Sequence, residues 1–391
     1  MTINAYLRQD GRKGIRNVIV VAYLVECAHH VSREIVFPYR DQEVHLIGFP
    51  GCYPNEYAHR MMERLCTHPN VGAALLVSLG CEGFNKGELI KTIRDSGRPV
   101  KLLGIQDTGG TRKTIAEGKA WIEQTRKQLE NTPRADMGID ELSIGTICGG
   151  SDATSGLTAN PAMGRAFDLL VERNATCVFE ETGELIGMEH WMAERAATPE
   201  LGQEIINTVA KAATYYSAMG YASFSPGNAD GGLTTIEEKS LGAYAKSGQS
   251  SIKGIIKPGD VPLEGGLYLL DVVPDGDPKF GFPNISDNAE IAELIACGNH
   301  IVLFSTGRGS VVGSAISPVI KVCANPKTYQ RLDEDMDVNA GKILEGRASL
   351  DDVGQEIYDL IMRVSQGEKT CSEELGHQEF ILTYKTFEPV G

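Results

Sequence analysis

Residues 142–152 read LSIGTICGGSD, and this stretch indicates how the chain folds. The apolar run from Leu142 to Ile147 is typical of a buried strand, and the glycine pair after it is typical of a sharp turn. A helix is predicted next, at 161–173. In α/β proteins, ligand-binding groups collect where a strand turns into a helix. The candidate functional residues here are Cys148, Ser151, Asp152 and Asn160. The alternative is a tight turn in which the serine or the aspartate caps the helix.

Strands and helices alternate along the chain on both sides of this stretch. Other predicted strands lie at 17–24, 43–49, 71–79, 100–105, 176–179, 266–272, 300–305 and 319–322. Helix-like segments separate most of them, and the connections are short. This alternation implies parallel sheets with helices on both faces. The predicted fold class is α/β, with two Rossmann-like, three-layer, parallel-sheet domains.

The segment from Asn131 to Asp140 is polar, contains Pro133 and is the predicted linker. We therefore predict a first α/β domain at residues 1–135, which begins with a basic loop. A second α/β domain is predicted at residues 140–391, and most of the candidate active site falls in it.

Composition and charge exclude several classes of function. The chain has 391 residues, of which 42% are hydrophobic and 23% charged, as is usual for a globular protein. Its net charge of −15 argues against nucleic acid or an anionic membrane as a partner, although a local cationic pocket could still bind a small anion. No apolar run approaches the length of a membrane span, and the amino terminus lacks a signal-peptide pattern. The nine cysteines are odd in number and form no CxxC pair, which disfavours disulfides and zinc fingers and favours the reduced cytoplasm.

Polar residues follow several of the predicted strands. The carboxyl ends of parallel strands meet at one edge of a sheet, so these residues could share one crevice with the Cys148 turn. They are Cys52, Cys81, Glu82, Gln106 and Asp107. A group of thiolates there could hold iron or another soft metal. Each cysteine taken alone is more often a small core residue than a ligand.

Two segments could bind an anion. The stretch from Arg8 to Asn17 holds four cations, including Arg12 and Arg16, whose forked guanidinium groups match carboxylates. A solvated loop or a subunit contact is the alternative. After the strand at 300–305, Thr306-Gly-Arg308-Gly could form an anion nest of backbone N–H groups plus one guanidinium.

The remaining candidates lie between 180 and 239. Glu180 and Glu181 follow a strand, and only one of them can face the crevice unless the strand has already ended. Glu184 is expected on a charged helix face, whereas His190 could act as a base. Asn228 lies in an irregular loop at 221–232, which is more often functional than inert. Lys239 could bind a carboxylate or transfer a proton.

Together these segments resemble the altronate/galactarate dehydratase family, including its sulfolactate sulfo-lyase branch. The matching stretches are 8–17, 68–71, 79–82, 148–161, 231–242, 304–309, 318–325 and 337–341, in order along almost the whole chain. The resemblance implies a lyase that removes water, or sulfite, from a small hydroxy acid such as a sugar acid and leaves a 2-keto acid. It also implies a divalent metal, with Fe(II) preferred over Mn or Mg, and a separate small β-rich subunit. We further expect a homo-oligomer.

These expectations assign roles to individual residues. The predicted catalytic residues are Lys239, His190 and Asp152. The predicted substrate-binding residues are Arg12, Arg16, Ser151, Asn160, Asn228, Thr306 and Arg308. The predicted metal ligands are Cys81, Cys148 and Glu180. The main alternative is a non-catalytic subunit that binds or senses small acids on the same fold, and a hydrolase on this fold is a third reading.

Overall fold

The computed structural model describes residues 2–220, 227–276 and 286–387. The strands in these residues are β1 (Ile3–Leu7), β2 (Lys13–Gly14), β3 (Val18–Tyr23), β4 (Val44–Gly48), β5 (Val71–Ser78), β6 (Val100–Gly104), β7 (Arg134–Met137), β8 (Ser143–Cys148), β9 (Thr176–Phe179), β10 (Ile252–Ile256), β11 (Gly266–Leu270), β12 (Ile301–Thr306), β13 (Val319–Cys323) and β14 (Val338–Asn339).

The α-helices in the same residues are α1 (His29–Val36), α2 (Glu56–Cys66), α3 (Lys86–Asp95), α4 (Ile105–Thr108), α5 (Thr111–Leu129), α6 (Ala159–Val171), α7 (Glu189–Glu194), α8 (Pro199–Met219), α9 (Gly227–Asp230), α10 (Ile236–Ala245), α11 (Asp287–Ala296), α12 (Pro326–Arg331), α13 (Leu350–Ser365) and α14 (Cys371–Leu375).

The first half of the chain forms a four-stranded parallel sheet in the order β4-β3-β5-β6. Every residue of β5 is buried, because helices cover both faces of the sheet. Val21 and Leu75 share one cluster with residues of α1 and α5. Val20 and Leu76 share another with residues of α2 and α3. The alternating direction of side chains along each strand therefore divides the apolar residues between two layers of helix.

The second half forms a seven-stranded sheet in the order β10-β11-β9-β8-β12-β13-β14, and its strand pairs are parallel. The central strand, β8, is buried along its whole length. Helices α6 and α13 pack against each other on one face, and α11 packs on the other face against β8 and β12. Helix α11 also contacts α2, so one apolar cluster joins the two sheets.

The order of the strands places a switch point at β8. From β8 the chain adds β9 on one side, and it later returns to add β12 on the other side. The connections after β8 and after β12 therefore leave the sheet side by side at its carboxyl edge. In open parallel sheets this is the position of the ligand crevice.

The α/β class and the parallel sheets predicted from the sequence are confirmed. The predicted linker differs from expectation, because residues 134–137 form β7, which pairs antiparallel with β1. Strands β1, β2, β7, β10 and β14 were also absent from the prediction. Four of them lie at a sheet edge, and β1 is the middle strand of a small sheet in the order β2-β1-β7. The predicted loop at 221–232 lies partly outside the described residues, and its remainder includes α9. No helix in the described residues is both long and apolar enough to cross a membrane.

Candidate active site

Two turns at the switch point bind each other through their backbones. The N–H of Gly149 donates to the carbonyl of Ser305 at 3.0 Å. The N–H groups of Gly307 and Arg308 donate to the carbonyl of Gly150 at 3.2 and 2.8 Å. The turns after β8 and β12 thus form one continuous surface, which is the floor of a cavity. This cavity has a volume of about 460 Å³ and is lined by Cys148, Gly149, Gly150, Glu184, Gly227, Asn228, Lys239, Asp287, Arg308 and Gly309.

A buried lysine organises the interior of this cavity. The ammonium of Lys239 lies 3.0 Å from Cys148 Sγ and 2.6 Å from a carboxylate oxygen of Glu184. It also donates to the hydroxyl of Ser151 at 3.1 Å. Burial lowers the pKa of Lys239, but Cys148 and Glu184 outweigh it, and the pKa is raised above its ordinary value. In this arrangement Lys239 is held as a cation.

Glu181 reaches Cys148 because β9 ends before it. The strand ends at Phe179, and Glu181 has a left-handed backbone with φ of 77°. Its carboxylate accepts hydrogen bonds from the backbone N–H of Cys148 at 3.3 Å and from the thiol at 3.1 Å. The same carboxylate forms a buried ion pair with Lys246. A non-glycine residue in this backbone region is strained, so the surrounding structure must hold it there.

Two further acids beside the cavity have perturbed pKa values. Burial, followed by the charge of Glu290, raises the pKa of Glu180 well above its usual range. One oxygen of Glu180 is buried without a hydrogen-bond partner in the described part of the chain. Burial, followed by the charge of Glu184, raises the pKa of Asp287 to about 6. Both carboxyl groups are therefore easier to protonate than an exposed acid.

The described residues contain one group that could hold a metal ion. Sγ of Cys148 and carboxylate oxygens of Glu181 and Glu184 lie within 4.8 Å of one another. A thiolate with two carboxylates suits a borderline divalent cation such as Fe(II) better than calcium, which takes oxygen ligands. The donors fit a divalent ion by their spacing and chemistry, although lysines are their present partners.

The structure gathers most of the predicted residues of the second half around this cavity. Cys148, Asn228, Lys239 and Arg308 line it, and Ser151 binds Lys239 from beneath. Two other predicted residues, Asp152 and Asn160, form hydrogen bonds between the segments around the cavity. The carboxylate of Asp152 accepts bonds from Thr154 and, at 2.9 Å, from Asn325. Asn160 bonds with Ser305 and with the backbone of Gly242.

The predicted anion nest at 306–309 is not free to bind an anion. Its N–H groups at 307 and 308 donate to Gly150, and that at 309 donates to the hydroxyl of Thr306 at 3.0 Å. Thr306 is fully buried, whereas the Arg308 side chain lines the cavity and donates to the carbonyl of Gly227. The guanidinium of Arg308 is therefore the part of the predicted nest that could contact a ligand in the cavity.

Several predicted residues lie outside the cavity. Arg16 bonds Glu373 and backbone carbonyls near the C-terminal helices. Arg12 pairs with Asp10 and lines a second cavity, of about 340 Å³, at the amino edge of the large sheet. His190 is exposed on α7, and Cys81 is exposed after β5. Their placement gives the predicted roles no support.

Sequence reasoning gave too little weight to four residues, namely Glu181, Glu184, Lys246 and Asp287. A signal existed for Lys246, which follows Lys239 by seven residues and therefore lies on the same face of a helix. Glu181 depends on an unusual backbone angle that the sequence does not reveal. Asp287 follows Ser286, the N-cap of α11, so its pattern indicates only a helix start.

Comparison with known proteins gives a consistent result. Residues 5–130 match the family model described as D-galactarate dehydratase/altronate hydrolase, second domain. Residues 139–387 match D-galactarate/altronate dehydratase, C-terminal.

Three curated relatives illustrate the range of the match. The chain is 32% identical to the (2R)-sulfolactate sulfo-lyase subunit beta of Chromohalobacter salexigens, over 98% of this chain and 97% of that one. It is 28% identical to the altronate dehydratase of Bacillus subtilis, over 97% and 77% of the two chains. It is 33% identical to the galactarate dehydratase (L-threo-forming) of Escherichia coli, over 81% and 61%. As the sequence motifs predicted, the chain belongs to the D-galactarate/altronate dehydratase family.

Proposed function

We propose that this chain is the large subunit of a lyase that removes water, or sulfite, from a small 2-hydroxy acid and leaves a 2-keto acid. The observation that carries the proposal is the cavity in which Lys239 contacts Cys148, Ser151 and Glu184. The relatives named dehydratases and sulfo-lyase support the hydro-lyase class predicted from the sequence. Such eliminations need a proton acceptor beside a site that binds a carboxylate.

Two cations provide the local positive charge that an anionic substrate needs in a chain of net charge −15. Lys239 lies inside the cavity and Arg308 lines it. Arg308 is suited to the distal carboxylate or sulfonate of the substrate, because a guanidinium can donate two parallel hydrogen bonds to such a group. Asn228 is the candidate partner for a substrate hydroxyl.

Lys239 is the candidate for proton transfer. The α-proton of a carboxylate is weakly acidic, so its removal needs a base and positive charge nearby. Cys148 and Glu184 lie within hydrogen-bond distance of Lys239 and would accept its proton when substrate binds. Passing that proton to either partner leaves a buried amine that can accept the α-proton. The same group, once charged, stabilises the dianion that forms.

Cys148, Glu181 and Glu184 would hold a divalent metal, for which Fe(II) is the first candidate and Mn(II) or Mg(II) the alternatives. When bound, such an ion would supply Lewis acidity toward the substrate carboxylate and hydroxyl. The predicted ligand Glu180 is adjacent in sequence but lies outside this group of three, and Cys81 does not belong to it.

One relative supports the proposed assembly. The sulfo-lyase relative is named as a subunit, and it aligns over almost the whole of both chains. A separate small subunit that completes the enzyme is therefore part of the proposal, as is a homo-oligomer of the large subunit. The nine free cysteines suit the reduced cytoplasm. The domain boundary between residues 135 and 140 is also part of the proposal.

The direct test is a substrate panel with the anaerobically purified protein. Sulfolactate, altronate and galactarate are supplied with Fe(II), Mn(II) or Mg(II), with and without a small-subunit protein encoded nearby. A 2-keto acid is expected from at least one substrate. Tight binding of these acids with no turnover under any of these conditions would favour the non-catalytic alternative.

A further inference from the structure

We propose that Asp287 is the general acid that protonates the leaving hydroxyl group, an inference that rests on the proposed elimination. It assigns a catalytic residue that neither the sequence motifs nor the comparisons indicated.

Asp287 is the first residue of α11, and Ser286 caps this helix by accepting from the N–H of Ala289. The helix packs on β8 and β12. Asp287 lines the same cavity as Lys239 and Arg308. Among the described residues that line the cavity, Asp287 and Glu184 are the two acids.

Gly149 makes room for this carboxylate. A Cβ atom at position 149 would overlap the Asp287 carboxylate and the Phe304 ring. The glycine that follows Cys148 therefore lets the acid lie directly against the turn. This contact explains the first of the two glycines, which a simple strand-to-helix turn would not require.

The two acids of the cavity have different surroundings. Glu184 is paired with Lys239 at 2.6 Å, so a cation lies directly beside it. Asp287 is mostly buried, and burial and Glu184 raise its pKa to about 6, against the lowering effect of Lys239 and Lys246. A pKa near the working pH suits a group that must donate a proton in each cycle. One acid beside the lysine and a second acid that can donate a proton give the division of roles that acid–base catalysis needs.

The α-carbon–hydrogen bond breaks, and its proton goes to Lys239 in its amine form. The electron pair first remains in the substrate dianion, and it then forms the carbon–carbon double bond as the carbon–oxygen bond breaks. The departing hydroxyl takes the proton of Asp287 and leaves as water, so that Asp287 becomes a carboxylate. The enol then tautomerises to the 2-keto acid. Sulfite, a much weaker base than hydroxide, leaves without this proton.

The test separates proton removal from departure of the leaving group. Asp287→Asn keeps the shape of the side chain but has no acidic proton. The holoenzyme is assayed in D₂O on a hydroxy acid that the wild type dehydrates. Two quantities are measured: 2-keto acid formation, and α-deuterium in the recovered substrate. The matched control is Asp351→Asn, which changes an exposed first-turn aspartate of α13 that pairs with Arg165.

The expected result is a loss of dehydration of about 100-fold or more in Asp287→Asn, with α-deuterium exchange retained. Asp351→Asn should match the wild type in both measurements. Dehydration at the wild-type rate by Asp287→Asn would overturn the inference, as would loss of exchange together with dehydration. A wild type that eliminates only sulfite would overturn it too, because sulfite needs no proton. A wild type with neither exchange nor product would instead refute the proposed elimination itself.

Discussion

At the scale of single residues, the site depends on buried charges that compensate one another. Cys148, Glu181 and Glu184 meet Lys239 and Lys246 in a small volume. Burial of any one charge alone would be costly, whereas hydrogen-bonded pairs offset much of that cost. The charges can therefore remain close together in a site where a substrate must also bind.

Lys246→Met tests this compensation. The Lys246 side chain is almost fully buried against Glu181, so its removal leaves a buried carboxylate without its cation. We expect the free energy of unfolding to fall by about 3–5 kcal/mol. Urea denaturation followed by circular dichroism measures the change.

The control for this prediction is Lys91→Met, which removes a lysine of a surface i,i+4 pair with Asp95. It should change stability little, because surface pairs contribute little. If Lys246→Met unfolds at the same urea concentration as the control, the buried pair does not stabilise the site as we describe.

Some of these residues could be predicted from the sequence and others could not. Cys148, Ser151, Lys239 and Arg308 were indicated because each lies in or just beyond a glycine-rich turn, where binding groups collect. Glu181 was left open against Glu180, because the choice depends on where β9 ends and on one positive φ angle. Asp287 comes from a distant part of the chain, and only the fold brings it to Gly149.

At the scale of secondary-structure elements, the turn after β8 determines the shape of the cavity floor. It runs beside the turn after β12 and is bonded to it through Gly149 and Gly150. Local sequence predicted both strands and both turns. It could not predict that β12 returns to the side of β8, because that pairing joins residues about 160 positions apart, as with Ile144 and Ile301.

Gly149→Ala tests the role of this turn. The added methyl group would overlap the Asp287 carboxylate and the Phe304 ring, both of which lie against a packed helix or strand. We expect a destabilisation of about 1–3 kcal/mol and a marked loss of turnover, since the floor or α11 must shift. Thermal unfolding and initial rates measure the two effects.

The matched control is Gly87→Ala in α3, where the nearest atom, Asn85 Oδ1, lies at an ordinary contact distance of 3.8 Å. Because alanine favours helix over glycine, this control should be neutral or stabilising by up to about 1 kcal/mol. Equal stability and turnover in Gly149→Ala would show that the turn has more room than the structure indicates.

At the scale of the whole molecule, the two halves are joined by polar contacts as well as by apolar packing. Arg16 bonds Glu373 across the chain at 2.7 Å. The C-terminal segment at 376–387 lies against both halves: buried Lys385 pairs with Glu293 at 2.8 Å, and its carbonyl accepts from Asn55. The sequence predicted two α/β blocks but gave no indication of how closely they are joined, because these contacts link residues far apart in the chain.

Asp10 gives the molecule a pH dependence that can be measured. Burial raises its pKa, but bonds from Arg12 and Arg98 outweigh it and lower the pKa from 3.8 to about 2. The pKa of Asp10 is lower in the folded protein than in the unfolded protein, so the ionised carboxylate stabilises the fold at pH values above the unfolded-state pKa. This stabilisation is lost as the pH falls through the folded-state pKa. We expect wild type to be more stable than Asp10→Asn at about pH 6, with a smaller difference at about pH 3.

Urea denaturation of the two proteins at both pH values measures the difference between their free energies of unfolding. The titration of other groups affects both proteins alike and therefore cancels in this difference. An advantage of the wild type that stays constant or grows toward low pH would contradict the proposed pairing with Arg98.

The central claim is that elimination takes place in the cavity at the ends of β8 and β12. The most direct measurement is 2-keto acid formation by folded Lys239→Met, assayed anaerobically with Fe(II) beside the wild type and Lys91→Met. We expect wild type and Lys91→Met to form product at equal rates and Lys239→Met to be slower by at least about 100-fold. Product formation by Lys239→Met at the wild-type rate would contradict this claim.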